Sequence, residues 1–358
     1  MTPKITAGSR PLLALAACLC VCLVKVRGQE SDSPPVETNL ESQTPAEVAL
    51  DPKPSPGVAA MSGMRGMGGS GGPGYTATWF PSQKIVGGIA EVNILRQNLS
   101  LGAPVWRGDG EMVLLNTGFR STIYGTEASL PVSGREIPEQ LWSITVGGMF
   151  MHKFENGWNG AVMLNLGSSG DKPFNSLAEL NGSVLAFLTV PSGEKNSWMF
   201  ALMYSPLGEL PFPLPGLAYS WNIDETFQLN LGIPFRVVWK PHPDLFVEAS
   251  YMPVTVVHFQ AGWRVLGSPV TIFGGYDWGN EAYQLSDRAE HKDRFYSYAM
   301  TLSTGVRYDL PKYGTLEVLG GYAFDRYLFI GQGYSDRRND RLDLESGPYL
   351  SASFRLRF

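Results

Sequence analysis

The sequence "SGPYLSASFRLRF", at residues 346–358, has the strict two-residue period of a β-strand with two unlike faces. Apolar residues occupy every even position from Leu350 to Phe358, while serine and arginine occupy the odd positions between them. Because successive side chains of a strand point to opposite sides of the sheet, the segment predicts one apolar and one polar face. The same alternation recurs in "TFQLNLGIPFRVVWK" (226–240), "TVVHFQAGWRV" (255–265) and "FYSYAMTLSTGVRYD" (295–309).

Alternation also occurs in soluble β-sandwiches, so it does not select a fold by itself. Three further features favour a transmembrane barrel. Several of these segments reach the roughly 9–11 residues that a tilted strand needs to cross a bilayer. Aromatic residues lie toward the ends of the apolar faces, as they do in the girdles of membrane barrels. The polar faces carry glycines and charges of both signs, which a water-filled interior tolerates.

In hydrocarbon every backbone N–H and C=O group must be paired within the protein, so strands can span a membrane only as a closed sheet. The predicted fold is an all-β, antiparallel transmembrane β-barrel of about 14 strands, within a range of 12–16, with both termini periplasmic. The predicted strands lie near 90–103, 111–124, 141–153, 158–168, 180–190, 196–205, 216–222, 226–240, 244–252, 254–265, 269–277, 295–309 and 315–324, followed by the final segment quoted above.

A partial internal repeat predicts where the loops lie. "GGY" at 274–276 and 320–322 is followed each time by "SDR", at 286–288 and 335–337. Each unit predicts a strand end, a long polar loop and a returning strand, while "LPKYG" (310–314) predicts a tight turn. Long loops and short turns should therefore lie at opposite ends, and outer-membrane barrels place the long loops outside the cell.

The N-terminal region predicts export. Residues 1–28 have the positive start and short apolar run of a signal peptide, which we expect to be cleaved after Gly28. An alternative reading takes "LAAC" (15–18) as a lipoprotein site with Cys18 lipidated. Residues 29–74 are rich in Pro, Gly and Ser and predict a disordered linker, so the barrel would comprise residues 75–358.

Composition excludes several classes of function. The three cysteines all lie in the predicted signal peptide, so the exported chain would have neither a disulfide framework nor a thiolate metal site. The net charge is −5, and no basic excess favours nucleic acid as a partner. The sequence contains neither a phosphate-binding loop nor an HExxH motif.

A terminal strand that alternates and ends in Phe resembles the assembly signal of bacterial outer-membrane barrels. The resemblance implies that Phe354, Leu356 and Phe358 form a signal recognised by the barrel-assembly machinery, in the outer membrane of a Gram-negative-type bacterium. A wider resemblance rests on "YSPLGELPFPLPGLAYSWN" (204–222), "LGIPFRVVWKPHPDLFVEASYMPVT" (231–255), "GGYDWGNEAYQLSDR" (274–288) and "DRLDLESGPYLSASFRLRF" (340–358). These segments are similar to an uncharacterised family of bacterial outer-membrane β-barrels with a domain of unknown function, and that family implies no site residues.

Strand parity predicts which charged residues face the interior. The candidates for lining a lumen are Arg236, Glu248, His258, Arg264, Arg307, Asp309, Glu317, Arg355 and Arg357. Arginine keeps its charge and forms forked bonds to carboxylates, so this set either steers ions or closes a narrow lumen by pairing across it.

Two polar segments, 277–295 and 325–345, predict external loops rich in adjacent acid–base pairs. The candidates are Asp287, Arg288, Asp293, Arg294, Asp336, Arg337, Asp340 and Arg341, and we expect their partners on neighbouring segments. Calcium binding through Asp336, Asn339, Asp340 and Asp343 is an alternative, although the spacing does not match an EF-hand. Neither a metal site nor a cofactor is expected.

The leading hypothesis is a pore or channel-like transporter for small solutes with a mixed-charge lumen. A closed barrel with a structural or surface-interaction role is the alternative. Catalysis by His258 with Ser250 nearby lacks a nucleophile motif, so no enzyme activity is expected. The expected partners are outer-membrane lipids, the assembly machinery and small solutes.

Overall fold

The computed structural model describes residues 73–205, 212–252 and 256–357. Within these ranges the chain forms 17 β-strands and two short 3₁₀ turns, Leu177–Glu179 and Tyr334–Asp336. The strands are β1 (Gly74–Lys84), β2 (Glu91–Gly108), β3 (Glu111–Gly125), β4 (Gln140–Lys153), β5 (Asn159–Gly170), β6 (Leu180–Ser192), β7 (Asn196–Tyr204), β8 (Leu214–Asn222), β9 (Phe227–Gly232), β10 (Phe235–His242), β11 (Leu245–Met252), β12 (Val256–Arg264), β13 (Val270–Tyr283), β14 (Arg294–Leu310), β15 (Gly314–Gly331), β16 (Arg341–Leu344) and β17 (Gly347–Leu356). The predicted signal peptide, nearly all of the predicted linker and Phe358 lie outside the described residues.

The sheet closes on itself. Each strand from β1 to β15 pairs antiparallel with the next, β15 pairs with β17, and β17 pairs with β1 through Gly74↔Arg355 to Trp79↔Leu350. The result is a closed all-antiparallel barrel of 16 strands, with β16 outside the ring and paired to the far part of β15. The all-β closed fold is therefore confirmed.

The count of 16 corrects the central prediction of 14 for two reasons. The segment "GYTATWFPSQK" was assigned no strand, but it forms β1, whose pairing with β2 shifts register around Pro81. The segment 226–240 was predicted as one strand, but it turns at residues 233–234 into two, β9 and β10. Arg236 pairs with Asn230 and Val238 with Gln228, so even positions share a face before and after the turn. The alternation of the sequence therefore continues through the turn without a shift, so the pattern cannot distinguish this hairpin from a single long strand.

The outer face of the barrel is apolar. Large side chains such as Phe150, Leu166, Trp198, Leu302 and Val318 are exposed on it. A contiguous apolar surface of this kind is not stable against water, whereas a closed sheet with paired backbone is compatible with hydrocarbon. The barrel thus has the surface that a membrane-spanning sheet requires. No helix in the described ranges is long and apolar enough to cross a membrane.

Connections differ in length between the two ends. At one end, called here the short-turn end, the turns are residues 109–110, 154–158, 193–195, 223–226, 243–244, 265–269 and 311–313. At the opposite, long-loop end lie the longest connections, 126–139, 284–293 and 332–346. The longest loops thus share one end, as predicted, but the two-residue turn at 233–234 also lies at that end, so short turns are not confined to the other. Gly74 and Arg355 are paired at the short-turn end, so the first and last barrel strands begin and finish there.

Candidate functional site

His258 on β12 lies on the inner face between two acids. It pairs in register with Ser250 on β11 and Asp277 on β13. Its Nδ1 atom is 2.6 Å from the Asp277 carboxylate, and its Nε2 atom is 3.6 Å from the carboxylate of Glu248. The ring is therefore held by carboxylates and not by the neighbouring serine. The side chain of Asp277 is 51% exposed, so water reaches this part of the interior.

Arg307 on β14 forms a second inward group nearer the short-turn end. Its Nε and Nη2 atoms lie 3.0 and 2.9 Å from Oε2 of Glu317, and Nη2 also donates to Oε1 of Gln260 at 3.0 Å. The guanidinium carbon lies 5.9 and 5.2 Å from the ring centres of Phe246 and Phe273. These contacts join neighbouring strands of one wall.

The other predicted interior residues are spread along the same wall. Asp309 accepts a hydrogen bond from the Thr315 hydroxyl at 3.2 Å. Arg236 pairs in register with Asn230 and Ser250. The last three, Arg264, Arg355 and Arg357, lie at the short-turn end, where Arg264 and Arg357 are exposed. Their part in a solute path stays a prediction.

A cluster that the sequence did not single out joins distant strands across the interior. Glu281 on β13 lies 3.1 Å from Nη1 of Arg120 on β3 and 3.6 Å from Nε of Arg96 on β2. The Tyr283 hydroxyl donates to Glu281 at 3.1 Å and lies 3.2 Å from the hydroxyl of Thr122. Strands β14, β15, β17 and β1 separate β13 from β2 in the ring, so these side chains meet across the barrel.

The chain that follows β13 crosses to the opposite wall. Gln284 donates its backbone N–H to the carbonyl of Ser169 at 2.8 Å and forms a parallel bridge with Gly170. Ser286 donates its N–H and its hydroxyl to Asp171 at 2.7 and 2.6 Å. Seven strands separate β5 from β13 in one direction (β6–β12) and seven in the other (β14, β15, β17 and β1–β4). Residues 284–286, called here the crossing segment, therefore join the ends of β13 and β5 directly across the interior and narrow the ring at this end.

An apolar core fills the interior at the long-loop end. Leu130 and Ile137, from the 126–139 loop, pack with buried side chains of the strands, among them Val92, Phe295 and Leu342. All of these are buried. Loop 126–139 is thus folded into the barrel instead of extending from it, and it helps to close this end.

The predicted loop residues bind other parts of the chain. Asp287 forms an ion pair with Arg135, whose guanidinium hydrogen-bonds the carboxylate and holds its pKa below the usual range. Asp340 accepts the backbone N–H groups of Val132 and Ser133 at 2.8 and 3.1 Å. Both acids therefore anchor the 126–139 loop.

The remaining loop candidates bond mainly within their own segments. Arg288 donates to the carbonyls of Leu285 and His291, Asp293 accepts from Glu290 and Gln332, Asp336 accepts from Gln332, Arg337 donates to Tyr334, and Arg341 pairs with Asp343. The assignment of Arg294 to a loop was wrong, because β14 begins at this residue and it is buried. Among the described residues no group of three or more His, Cys, Asp or Glu is placed to hold a metal ion.

A row of apolar residues lines the opposite wall. Six inward positions pair directly from one strand to the next across β3–β8: Leu114, Met149, Met163, Leu185, Met203 and Leu214. This row explains why β4–β7 alternate less clearly in sequence, since apolar residues occupy both faces there. The sequence signal for it was an excess of methionine in strands of weak alternation.

The predicted assembly residues lie on the outer face as far as they are described. Phe354 pairs with Tyr75 on one side and Leu316 on the other, and Leu356 is exposed. Phe358 lies outside the described residues, and recognition by assembly machinery stays a prediction.

No protein-family model matches the chain. No curated protein matches it significantly in sequence. Among solved structures it is similar to the β domain of the Bordetella autotransporter BrkA, with 12% identity and a TM-score of 0.31, covering 80% of this chain and 99% of that one. It is also similar to an outer membrane channel from Pseudomonas putida F1, with 10% identity, a TM-score of 0.33, and 80% and 96% coverage. The translocator domain of the autotransporter NalP from Neisseria meningitidis gives 11% identity, a TM-score of 0.28, and 83% and 93% coverage. The fold described above rests on the strand pairing and not on these weak similarities.

Proposed function

We propose that the chain is an exported outer-membrane barrel, with its long-loop end outside the cell and its short-turn end in the periplasm. The closed sheet and the exposed apolar outer face support insertion into a bilayer. The position of the longest loops at one end supports the orientation. Cell fractionation tests the location, and recovery of the protein as a soluble periplasmic species would reject it.

Within this setting the barrel serves as a channel-like transporter for small solutes. The observation that carries this proposal is the exposure of Asp277, an inward carboxylate that is half accessible to water while it binds His258. Rings of 16 strands are wide enough for an aqueous path unless something fills them. The polar groups on the β11–β15 wall would line this path.

The long-loop end requires a second conformation for passage. Residues 284–286 bond to the opposite wall at Ser169–Asp171, and Leu285 is part of the apolar core. Transport therefore depends on release of the crossing segment from Ser169–Asp171, so the channel would be gated and mostly closed.

The same closure favours a second candidate, a permanently closed barrel with a structural or surface-interaction role. The loops at this end are joined to one another by the Arg135–Asp287 ion pair and by the hydrogen bond from Val132 to Asp340. They form an ordered outer surface suited to contacts with a partner. The two candidates differ in whether the crossing segment ever leaves the interior.

Conductance measurements on the purified chain in planar bilayers separate the two. Asp171→Ala removes both hydrogen bonds to Ser286, so this variant should show more frequent conductance steps than the wild type. The matched control is Asp224→Ala at the short-turn end, which removes three comparable bonds to Thr226 and Phe227 without touching the crossing segment. If wild type and Asp171→Ala are both silent over a wide voltage range, the channel is rejected in favour of the closed barrel.

A further inference from the structure

An excess of arginine lies inside the barrel beside the crossing segment. Arg96, Arg120 and Arg326 gather on the inner face, and Glu281 is the acid that pairs with the first two. The Arg96 and Arg326 guanidinium carbons lie 5.3 and 4.8 Å from the ring centre of one residue, Phe80. Among the described residues, two of these three cations thus pair with one carboxylate, and no ion pair is present for the third.

Arg326 is the unusual member of this group, because it is only 3% exposed. Within the described ranges it has no carboxylate within ion-pair distance, and its Nη1 atom is buried without a hydrogen-bond acceptor. Its neighbours on the inner face, Leu328 and Phe80, are buried and apolar. A buried charge without a counter-charge is strongly unfavourable, and a buried donor without an acceptor adds to that penalty.

Arg96 presents a second unused donor at the same place. Its Nη2 atom donates to the Ser297 hydroxyl at 3.0 Å, but its Nε atom is buried without an acceptor within hydrogen-bond distance. Glu281 lies 3.6 Å from that Nε atom. The Arg96 and Arg120 side chains are partly exposed, and their partner Glu281 lies on the same inward face of β13 as the exposed Asp277.

We propose that Arg96 and Arg326, with Arg120 at the entrance, bind a small oxyanion inside the barrel. Its oxygen atoms would accept hydrogen bonds from the unused Nε donor of Arg96 and the unused Nη1 donor of Arg326, and its negative charge would neutralise that of Arg326. Hydrogen bonds between guanidinium groups and oxyanions are stronger than those between neutral groups. A carboxylate and a phosphate share this chemistry. Binding does not depend on whether the barrel conducts, so the anion site and the proposed transport are tested independently.

Glu281 sets the strength of this site by competing for the same arginines. In the structure its carboxylate occupies Arg120 and approaches Arg96, so it acts as an internal substitute for the oxyanion. Removing its charge should therefore strengthen anion binding, whereas a variant that merely damages the fold would weaken it. The affinity change expected for the site is therefore opposite to the change expected from misfolding, and a titration can distinguish the two.

Calorimetric titration of the purified full chain in detergent, with acetate in one arm and inorganic phosphate in the other, tests the proposal. Chloride at equal ionic strength corrects for screening. We expect one or both oxyanions to bind, Glu281→Gln to bind roughly tenfold more tightly, and Arg326→Met to lose at least as much affinity. Arg107→Met, which changes an exposed arginine near the short-turn end, should bind like the wild type.

Each outcome decides the matter. Acetate binding alone indicates a carboxylate ligand, and phosphate binding alone indicates a phosphate ligand. No binding of either oxyanion to the wild type, or weaker binding to a folded Glu281→Gln variant, would overturn the site. If Arg326→Met does not fold, the wild-type and Glu281→Gln titrations still give the answer.

Discussion

At the scale of single residues, Gly147 shows how the interior is held. Asn116 on β3 donates to Asn165 on β5 at 3.1 Å, passing over Gly147 on the strand between them. A Cβ atom at this glycine would collide with Oδ1 of Asn165 and lie 2.7 Å from the Leu164 carbonyl oxygen. The bond therefore depends on the absence of a side chain on β4.

Gly147→Ala should lower barrel stability by about 1–3 kcal/mol, because backbone and a bonded amide must both move. Gly279→Ala is the matched control, since nothing lies within 4 Å of the Cβ atom there. The midpoint of heat-modifiable migration on a gel reports the folded barrel. Equal midpoints for the two variants would show that the Asn116–Asn165 bond does not need this glycine.

At the scale of elements, alternation predicted strands best where the inner face is polar. In β12, β14 and β17 the inward positions include His258, Arg307 and Ser353, so the two faces differ in sequence. In β5 and β7 inward methionines remove that contrast. The hairpin at 233–234 was missed because a tight two-residue turn preserves parity, and β1 was missed because Pro81 interrupts its pattern.

Side-chain contacts between neighbouring strands could be predicted from the sequence, but contacts across the ring could not. Parity placed Arg307 and Glu317 on one face, and the structure joins them. No local pattern relates Arg96 to Glu281, because their meeting depends on how β2 and β13 face each other across the interior. The predicted candidates came mainly from the C-terminal half, so the arginines of β2 and β3 were left out.

The contact between loops 126–139 and 284–293 should depend on pH. Arg135 hydrogen-bonds the Asp287 carboxylate and lowers its pKa. Because the folded-state pKa is below the unfolded value of about 3.9, the stabilisation is fully present above that value and is lost as pH falls through the folded pKa. The Asp287 side chain is 72% exposed, which limits the effect to less than about 1 kcal/mol.

The measurement compares thermal unfolding of the wild type and Asp287→Asn across pH. The wild type should be slightly more stable near neutral pH, and the two curves should converge in acid. Arg135→Gln should behave like Asp287→Asn, and the double variant should add little to either, because both remove one interaction. A difference that stays constant with pH would contradict the ion pair.

At the scale of the whole molecule, different parts of the chain close the sheet into a ring and close the long-loop end of the barrel. The ring closes through β1 and β17, which pair from Gly74↔Arg355 to Trp79↔Leu350, while the long-loop end closes through residues 284–286 and the apolar core. The first closure is required in hydrocarbon, because an open edge leaves backbone groups unpaired. The second involves side chains and a short segment, so it can change without opening the sheet.

Deletion of residues 74–84 from the full chain tests the first closure. Without β1, the edges of β2 and β17 would each carry unpaired N–H and C=O groups, and each such group costs several kcal/mol in hydrocarbon. We expect no heat-modifiable, membrane-inserted barrel in cells. The control deletes 33–72, within the predicted linker, and should leave insertion intact. A folded barrel without β1 would mean that β2 and β17 can pair directly, so the ring would close with 15 strands.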